Sequence, residues 1–267
     1  MITITQPEFK KMVEFVESNY GVNLINKKHL IEGRLQSTLV ENNCNSYTDY
    51  INLLMKKNPQ DIDNMISKLT TNYTFFMREH AHFDYFKDVI LPQMEKQYSA
   101  KKSIAVWSAG CSTGEEPYTL AILLHEYFGA QADKWDIRVL ATDISPRVLT
   151  IAKLGEYPED SLKEVPDSWK TKYFVKSANG YTVAPKIKNS VIFKSFNLMD
   201  KITFKTKFDV IFCRNVMIYF DGPVKDALVE RYYDATNPGG YLLIGHSETL
   251  NKATTRYNYL MPATYKK

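Results

Sequence analysis

The sequence predicts two structural parts, an all-helical front followed by an open, mostly parallel α/β sheet. In residues 1–90 the apolar side chains recur at three- and four-residue intervals, which is the spacing of amphipathic helices. After Lys101, short apolar runs alternate with helical patterns, which is typical of parallel strands covered by helices. Between two of these units, Asn179-Gly180 separates two strand-like runs and predicts a small antiparallel β insertion.

The helical front begins with a capping signal. Thr5 and Glu8 have the spacing of a capping box, and Pro7 suits a first helical turn. This helix is expected to end near Gly21, and the last helix of the front is expected to stop at Pro92. Apolar spacing predicts the other helices around 30–39, 46–54, 62–69 and 83–90.

The change from helical spacing to short apolar runs also predicts the domain boundaries. Five short apolar runs are the predicted strands of the sheet, at 104–107, 137–141, 191–193, 208–213 and 241–244. The hairpin joins 173–176 to 181–184. We therefore expect a helical domain over 1–75, a linker and connecting helix over 76–100, and an α/β domain over 101–267 with its β insertion at about 155–190.

The composition is that of a soluble globular chain. The 267 residues are 44% hydrophobic and 24% charged, which excludes wholesale disorder. A net charge of +4 is too small to indicate nucleic acid or an anionic membrane as a partner. No apolar stretch is long enough for a membrane span, and residues 1–6 lack a signal-peptide profile, so we expect a cytoplasmic protein without direct membrane insertion.

Neither a metal site nor a disulfide is expected. The cysteines, Cys44, Cys111 and Cys213, lack CxxC spacing. His80 and His82 are two residues apart, so a helix would direct them to different faces.

The first predicted strand leads into a glycine loop that suits a cationic ligand. Gly110 and Gly114 allow the backbone to pass close to a ligand, but the loop lacks the Lys-Ser/Thr of a P-loop and a full GxGxxG motif. Glu115 and Glu116 at its end would repel phosphate and would suit an ammonium group. The alternative is that both glutamates only favour the N-terminus of the next helix.

Polar residues also follow the other strands. Asp143 is placed to accept hydrogen bonds from ribose hydroxyls, and Asn197-Leu198 could read an adenine edge and cover its face. Asn215 follows the fourth strand. Helix capping and turn chemistry are the alternatives for Asp143 and Asn197. Together with the glycine loop, these residues predict a nucleoside pocket without a phosphate site, which favours S-adenosylmethionine over NAD.

Five segments of the sequence resemble the bacterial chemotaxis receptor protein-glutamate O-methyltransferases, the CheR family. The resemblance runs over essentially the whole chain, in order. Gly110-Cys111 stands where many relatives have alanines, and Tyr73 and Met77 vary the linker motif. The segments are 70–79, 107–118, 141–144, 212–220 and 245–248.

The resemblance implies a Rossmann-like S-adenosylmethionine-dependent methyltransferase sheet and assigns roles to the matching positions. Arg78 and Tyr219 would be the catalytic pair, and either Glu115 or Glu116, with Glu116 favoured, would bind the methionine ammonium. A surface ion pair with Glu79 is the alternative for Arg78, and a half-buried aromatic is the alternative for Tyr219. The implied cofactor-binding residues are Asn72, Thr74, Arg78, Gly110, Glu115, Glu116, Asp143, Asn197, Leu198, Asn215 and Val216.

The implied function is methyl transfer from S-adenosylmethionine to receptor glutamates in sensory adaptation, with S-adenosylhomocysteine as the second product. We expect a monomer that is recruited to membrane receptor clusters and contacts the cytoplasmic helical domain of a chemoreceptor. Lys27, Lys28 and Arg34 are candidate contacts, with a solvated helix face as the alternative. The hairpin at 173–184 resembles a subdomain that some relatives use to dock a receptor tail. The rival functions are methylation of another substrate and a non-catalytic cofactor-binding signalling module.

Overall fold

The computed structural model describes residues 2–70 and 72–267 and divides the chain into two compact units. The helical unit comprises residues 1–72 and 219–225, and the sheet unit comprises residues 73–218 and 226–267. The domain boundaries drawn from the sequence at 75 and 100 stay predictions.

The helical unit contains the four long helices that the apolar spacing predicts. Thr5 and Glu8 form the expected capping box at the start of the first helix, and Gly21 ends it with a φ of +71°. The Ser46 hydroxyl caps the third helix by accepting a hydrogen bond from the Asp49 N–H. The helices are α1 (Gln6–Tyr20), α2 (Lys28–Glu41), α3 (Tyr47–Met55) and α4 (Pro59–Leu69).

Glu8 ties two of these helices together. Its side chain accepts hydrogen bonds from Thr5 on its own helix and from the Thr48 N–H (2.9 Å) and Thr48 hydroxyl (3.0 Å) in α3. Burial works against the charged form, but these hydrogen bonds outweigh it and lower the pKa of Glu8 to about 2. A carboxylate inside this unit is therefore a structural link between α1 and α3.

The sheet unit begins with a helical segment that Pro92 does not stop. Its parts are α5 (Ala81–Tyr85), a π-helical turn (Phe86–Ile90) and α6 (Leu91–Gln97), and Pro92 lies in the first turn of α6. The prediction of a helix end at Pro92 is wrong because the preceding turn is wide. The Leu91 N–H bonds to the Phe86 carbonyl, five residues back, and this π geometry leaves room for the proline ring.

The remaining elements alternate as the sequence predicts. The strands of the main sheet are β1 (Val106–Ala109), β2 (Val139–Asp143), β6 (Val191–Ser195), β7 (Phe208–Cys213), β8 (Thr236–Ile244), β9 (Asn258–Met261) and β10 (Thr264–Lys266). The insertion consists of β3 (Glu156–Tyr157), β4 (Phe174–Ser177) and β5 (Gly180–Val183). The helices are α7 (Glu115–Phe128), α8 (Pro146–Leu154), α9 (Asp167–Tyr173), α10 (Pro185–Lys188) and α11 (Gly222–Ala235).

The seven strands have the order β6-β2-β1-β7-β8-β10-β9. The first five are parallel, and β10 and β9 are antiparallel. Every residue of β7 is buried, as expected for a central parallel strand covered on both faces. A second sheet, β3-β5-β4, contains the predicted hairpin. The predicted fold class is thus confirmed.

The register places the carboxyl ends of the parallel strands at one edge of the sheet. Ala109 pairs with Thr142, Asp143 pairs with Ser195, and Cys213 pairs with Ile244. The loops that leave these strands therefore meet at this edge, where open α/β sheets bind their ligands. Among the described residues, no helix is long and apolar enough to cross a membrane.

Candidate functional site

The glycine loop after β1 is bound to the end of β2. The Gly110 and Cys111 N–H groups donate to the Thr142 carbonyl at 2.8 and 2.9 Å. Gly110 has a φ of +82°, and a Cβ there would overlap the Val216 side chain. There is therefore no room for a side chain at position 110, and the loop backbone there packs directly against Val216.

The two glutamates that begin α7 lie in different environments. Glu115 accepts a hydrogen bond from the Thr113 hydroxyl (2.7 Å), and burial raises the pKa of its carboxyl. Glu116 is directed to the strand ends, where its two oxygens accept from the Ser108 hydroxyl (2.7 Å) and from Arg214 Nη1 (2.9 Å). Glu116 is thus bonded to a residue of β1 and to the residue that follows β7.

Asp143 joins two loops at the end of β2. Its carboxylate accepts from the Ser112 N–H at 2.8 Å and from the Ser145 N–H at 3.0 Å. A carboxylate offers about four lone-pair sites, so these bonds are compatible with further hydroxyl donors. The Ser145 hydroxyl caps α8 by accepting from the Val148 N–H.

The segment after β6 lies beside Asp143. The Phe196 N–H donates to the Asp143 carbonyl, and the Asn197 side chain accepts from the Met199 N–H at 3.0 Å. Leu198 is buried, and its carbonyl accepts from Arg231. The turn chemistry considered for Asn197 is therefore present, on the same sheet edge as Asp143.

Glu248 organises the loop after β7. Its carboxylate accepts from the N–H groups of Gly245 (2.6 Å), Asn215 (3.0 Å) and Ile218 (3.0 Å). Burial outweighs these bonds and raises the pKa of Glu248. The hydrogen bonds to Glu248 hold Asn215 in the left-handed conformation, with a φ of +57°. Glu248 was not among the predicted site residues, although its Gly245–Glu248 motif was part of the family resemblance.

Arg78 lies in a strained turn. The residues before and after it, Met77 and Glu79, have φ values of +63° and +55°. Arg78 Nη1 donates to the Tyr73 carbonyl at 2.7 Å, and the guanidinium lies 5.8 Å from the centre of the Tyr73 ring. Its own carbonyl accepts a bond from Arg214 Nη2. No ion pair between Arg78 and Glu79 is found, because Glu79 pairs with Arg214 instead.

Arg214 was not predicted as a site residue. Its side chain is only 2% exposed and pairs with Glu79 (3.1 Å) and Glu116 (2.9 Å). Burial works against ionisation of Glu79, but Arg214 and the amide of Asn215 outweigh it and lower the pKa of that carboxyl. The available signal was an arginine directly after a strand whose residues are otherwise almost all apolar, since a buried charge needs carboxylate partners.

Three side chains with atoms that could ligate a metal ion lie together: Glu79, His82 and His246. One such atom from each residue lies within 4.8 Å of the others. Burial lowers the pKa of His82 to about 3, so the ring is neutral at pH 7. Both oxygens of Glu79 already accept hydrogen bonds, and one of them is bonded to the Arg214 guanidinium. Arg214 therefore supplies the positive charge of this cluster.

Cys111 does not have the properties of a reactive thiol. It is buried, and burial raises its pKa well above the ordinary value, with Asp143 and Glu116 adding to the shift. The thiolate form is thus disfavoured.

Residues 73–75 line a cleft of about 380 Å³ in the sheet unit. Its other wall comes from the β insertion, and includes Asp160, Lys163 and Glu164. The cleft contains Thr74 and lies next to Arg78 in the chain.

Two predicted site residues group with the helical unit. Asn72 lies at the end of its first segment. Tyr219 ends a short 3-10 helix, and its carbonyl accepts from the Asn23 N–H at 2.7 Å. The other predicted residues, Thr74, Arg78, Gly110, Glu115, Glu116, Asp143, Asn197, Leu198, Asn215 and Val216, belong to the sheet unit.

Comparison with known proteins identifies the family. Residues 7–70 match the family described as "CheR methyltransferase, all-alpha domain", and residues 72–266 match "CheR methyltransferase, SAM binding domain". The chain belongs to the CheR methyltransferase family. S-Adenosylmethionine is its cofactor, and the chain is an S-adenosylmethionine-dependent methyltransferase, as the resemblance implied.

Curated relatives match this CheR chain from end to end. The chemotaxis protein methyltransferase of Borreliella burgdorferi is 44% identical, over 100% of this chain and 96% of the relative. Chemotaxis protein methyltransferase 1 of Pseudomonas aeruginosa is 31% identical, over 94% of this chain and 93% of the relative. A solved methyltransferase domain of bacterial CtHen1-C is 16% identical over 58% of this chain and 63% of its own, with a TM-score of 0.33.

Proposed function

We propose that the chain transfers the methyl group of S-adenosylmethionine to glutamate side chains of bacterial chemoreceptors, and so forms glutamyl methyl esters in sensory adaptation. The names of both curated relatives support a role in chemotaxis. One structural observation carries the choice of a carboxylate acceptor. Arg78 carries a guanidinium suited to orienting a carboxylate, and its backbone carbonyl accepts from Arg214, which also donates to Glu116.

The donor set at the sheet edge fits this cofactor. Glu116, which is directed to the strand ends, would hold the methionine ammonium, whereas Glu115 is turned to Thr113 in its own loop. Asp143 would accept from the ribose hydroxyls, and the backbone of Gly110, which packs against Val216, would border the cofactor. The segments Asn197-Leu198 and Asn215-Val216 would frame the adenine and the sulfur region.

The reaction needs alignment more than proton transfer. A free glutamate carboxyl has a pKa of about 4.3, so the acceptor is already ionised at neutral pH and no general base is required. The cofactor supplies a methyl group on a cationic sulfur. Alignment of two such partners can contribute roughly 7–11 kcal/mol in well-oriented systems. Arg78 would hold the acceptor by one oxygen and leave the other to attack, because a grip on both would reduce nucleophilicity.

The partner in this proposal is the cytoplasmic helical domain of a chemoreceptor, contacted by a monomeric enzyme in the cytoplasm at the receptor clusters. Lys27 is exposed, and Lys28 begins α2. Arg34 donates to the carbonyls of Lys68 and Thr70, so it also holds its own unit together. Lys27 and Lys28 are therefore better candidates for receptor contacts than Arg34. The roles of Asn72, Thr74 and Tyr219 stay predictions.

The decisive experiment is transfer of tritiated methyl from S-adenosylmethionine to chemoreceptor-containing membranes, followed by mild base. We expect volatile labelled methanol, which a carboxyl ester releases and an N-methyl group does not. Arg78→Ala should lower kcat/KM by about 100-fold or more, as expected for the loss of an orienting group. Arg138→Ala, at an exposed arginine paired with Asp136, is the matched control and should keep wild-type activity.

Two outcomes would favour the rival functions. Base-stable label would indicate methylation of nitrogen. Cofactor binding without label on any receptor would indicate another substrate or a non-catalytic signalling module.

A further inference from the structure

We propose that Glu79 is a positioning residue that holds Arg78 in its working orientation. The proposal rests on the proposed function, because it takes Arg78 as the residue that orients the acceptor carboxylate. Glu79 itself contacts neither acceptor nor cofactor in this assignment, and it acts through Arg214.

The first observation is the strain around Arg78. Met77 and Glu79 both have left-handed φ values, +63° and +55°, and neither is glycine or asparagine. L residues with side chains of this size rarely adopt that region, so other parts of the structure must hold the turn. Its geometry directs residue 78 away from the path that an ordinary extended or helical backbone would follow.

The second observation is the set of bonds that meets at the Glu79 carboxylate. Oε2 accepts from Arg214 Nη2 at 3.1 Å and from the His246 N–H at 3.2 Å. Oε1 accepts from the Asn215 side-chain amide at 3.1 Å. One carboxylate thereby joins the turn to the loops that follow β7 and β8.

The third observation is that Arg214 also bonds groups other than Glu79. Its Nη2 group donates both to Glu79 and to the Arg78 carbonyl, and its Nη1 group donates to Glu116. Glu79 is 16% exposed and Arg214 only 2%, so water provides little replacement for a lost partner. A carboxylate at position 79 therefore fixes the guanidinium that fixes the backbone of Arg78.

This arrangement predicts a separation between catalysis and cofactor binding. Without the charge at position 79, Arg214 keeps Glu116 as its partner, so the cofactor glutamate stays in place. The turn loses its central acceptor, and Arg78 samples orientations that do not align the acceptor. The rate should therefore fall far more than cofactor affinity.

The first test is Glu79→Gln, which keeps the shape and removes the charge. We expect kcat on receptor membranes to fall about 30- to 100-fold, with the S-adenosylmethionine Kd within threefold of wild type. Asp84→Asn, at an exposed carboxylate five residues along, is the matched control and should change neither quantity. A wild-type kcat for Glu79→Gln, or equal losses in rate and cofactor affinity, would refute the positioning role.

The second test uses the strain itself. Glycine adopts positive φ readily, so Met77→Gly should allow the turn to form without the hydrogen bonds of Glu79. Added to Glu79→Gln, it should raise kcat by about tenfold. His80→Gly is the control, since His80 has an ordinary φ of −50°. Rescue by both glycines, or by neither, would contradict the proposal.

A measurement that does not depend on activity distinguishes a loosened turn from a misfolded protein. Hydrogen exchange of residues 73–80 should be at least tenfold faster in Glu79→Gln than in wild type, with the strands β1 and β7 unchanged. Glu79→Asp, which keeps the charge on a shorter side chain, should lie between the two, and uniform exchange across these variants would refute the hold on the turn.

The two proposals fail in different ways. If wild-type enzyme forms no base-labile ester on receptors, the proposed function is wrong. If wild type is active and Arg78→Ala is not, but Glu79→Gln behaves as wild type, only the positioning role is wrong.

Discussion

Left-handed residues occur for different reasons in the two units of the molecule. In the helical unit they lie at or just after helix ends, where they are ordinary caps: Gly21, Asn43 and Lys57. In the sheet unit many of them lie at the candidate site, in the turn around Arg78 and in the loops that follow the strands: Met77, Glu79, Gly110, Ser112, Gly114 and Asn215. The helical unit thus uses this conformation to end helices, whereas the sheet unit also adopts it, at residues other than glycine, in the loops where its chemistry is expected.

Three of the buried carboxylates, Glu8 in the helical unit and Glu115 and Glu248 in the sheet unit, show a further contrast. Glu8 in the helical unit is so well supplied with hydrogen bonds that its pKa falls to about 2 despite burial. In Glu115 and Glu248 of the sheet unit, burial prevails and raises the pKa. The first arrangement stabilises a fold, and the second keeps carboxylates at a site in spite of the energy that their burial requires.

The largest effect is expected where strain and close contact coincide. Gly110→Ala would force a side chain into a φ of +82° and against Val216. We expect the sheet unit to lose about 2–5 kcal/mol in its free energy of unfolding, from the left-handed conformation and from overpacking together. Urea unfolding measures this loss.

Gly239→Ala is the control that separates the two causes. Gly239 has a similar positive φ, +76°, but no atom lies within 4 Å of an added Cβ. It should lose only about 1–2 kcal/mol, the part that comes from strain. Equal losses at the two glycines would show that contact with Val216 is unimportant.

The next effect concerns the acid stability of the helical unit. The folded pKa of Glu8, about 2, lies below its ordinary value of 4.5, so its contribution is present above pH 4.5 and is lost as the pH falls toward 2. Glu8→Gln should therefore destabilise the unit by about 2–3 kcal/mol at pH 7. Urea unfolding should show this difference shrinking below pH 4.

Glu14→Gln tests the same helix at an exposed carboxylate. Glu14 makes a long, exposed ion pair with Lys10, at 3.9 Å, and its replacement should change stability little at any pH. A loss at pH 7 as large as that of Glu8→Gln would break the distinction drawn between the two carboxylates.

The smallest effect has the opposite sign. Gly33 lies inside α2 with no atom within 4 Å of an added Cβ and without a positive φ. Gly33→Ala should stabilise the helical unit by about 0.5–1 kcal/mol, because alanine restricts the unfolded chain and fits a helix. Destabilisation in a thermal melt would show that this glycine is needed for a contact outside the unit itself.

Local patterns in the sequence predicted much of the fold. The capping box at Thr5 and Glu8, the helix end at Gly21 and the Asn179-Gly180 hairpin all depend on a few adjacent residues, and all are confirmed. The prediction at Pro92 is wrong because the rule that a proline ends a helix does not include a π-helical turn before the proline. Local rules succeed where the stabilising contact is itself local.

The same limit applies to the site. Strand-end rules and the family resemblance indicated Gly110, Glu116 and Asp143 from the sequence, since each follows a recognisable apolar run. They gave no indication that Arg214 would lie against Glu79, 135 residues earlier, or that Glu248 would support Asn215.

Neighbouring positions in the chain are enough to indicate the classes of element, the family and most of the candidate site residues, because helix caps, apolar periods and motifs are local patterns. Which charges pair depends on the tertiary structure. Parallel strands bring distant loops to one edge of the sheet, and a buried charge must then take whichever partner the register places beside it.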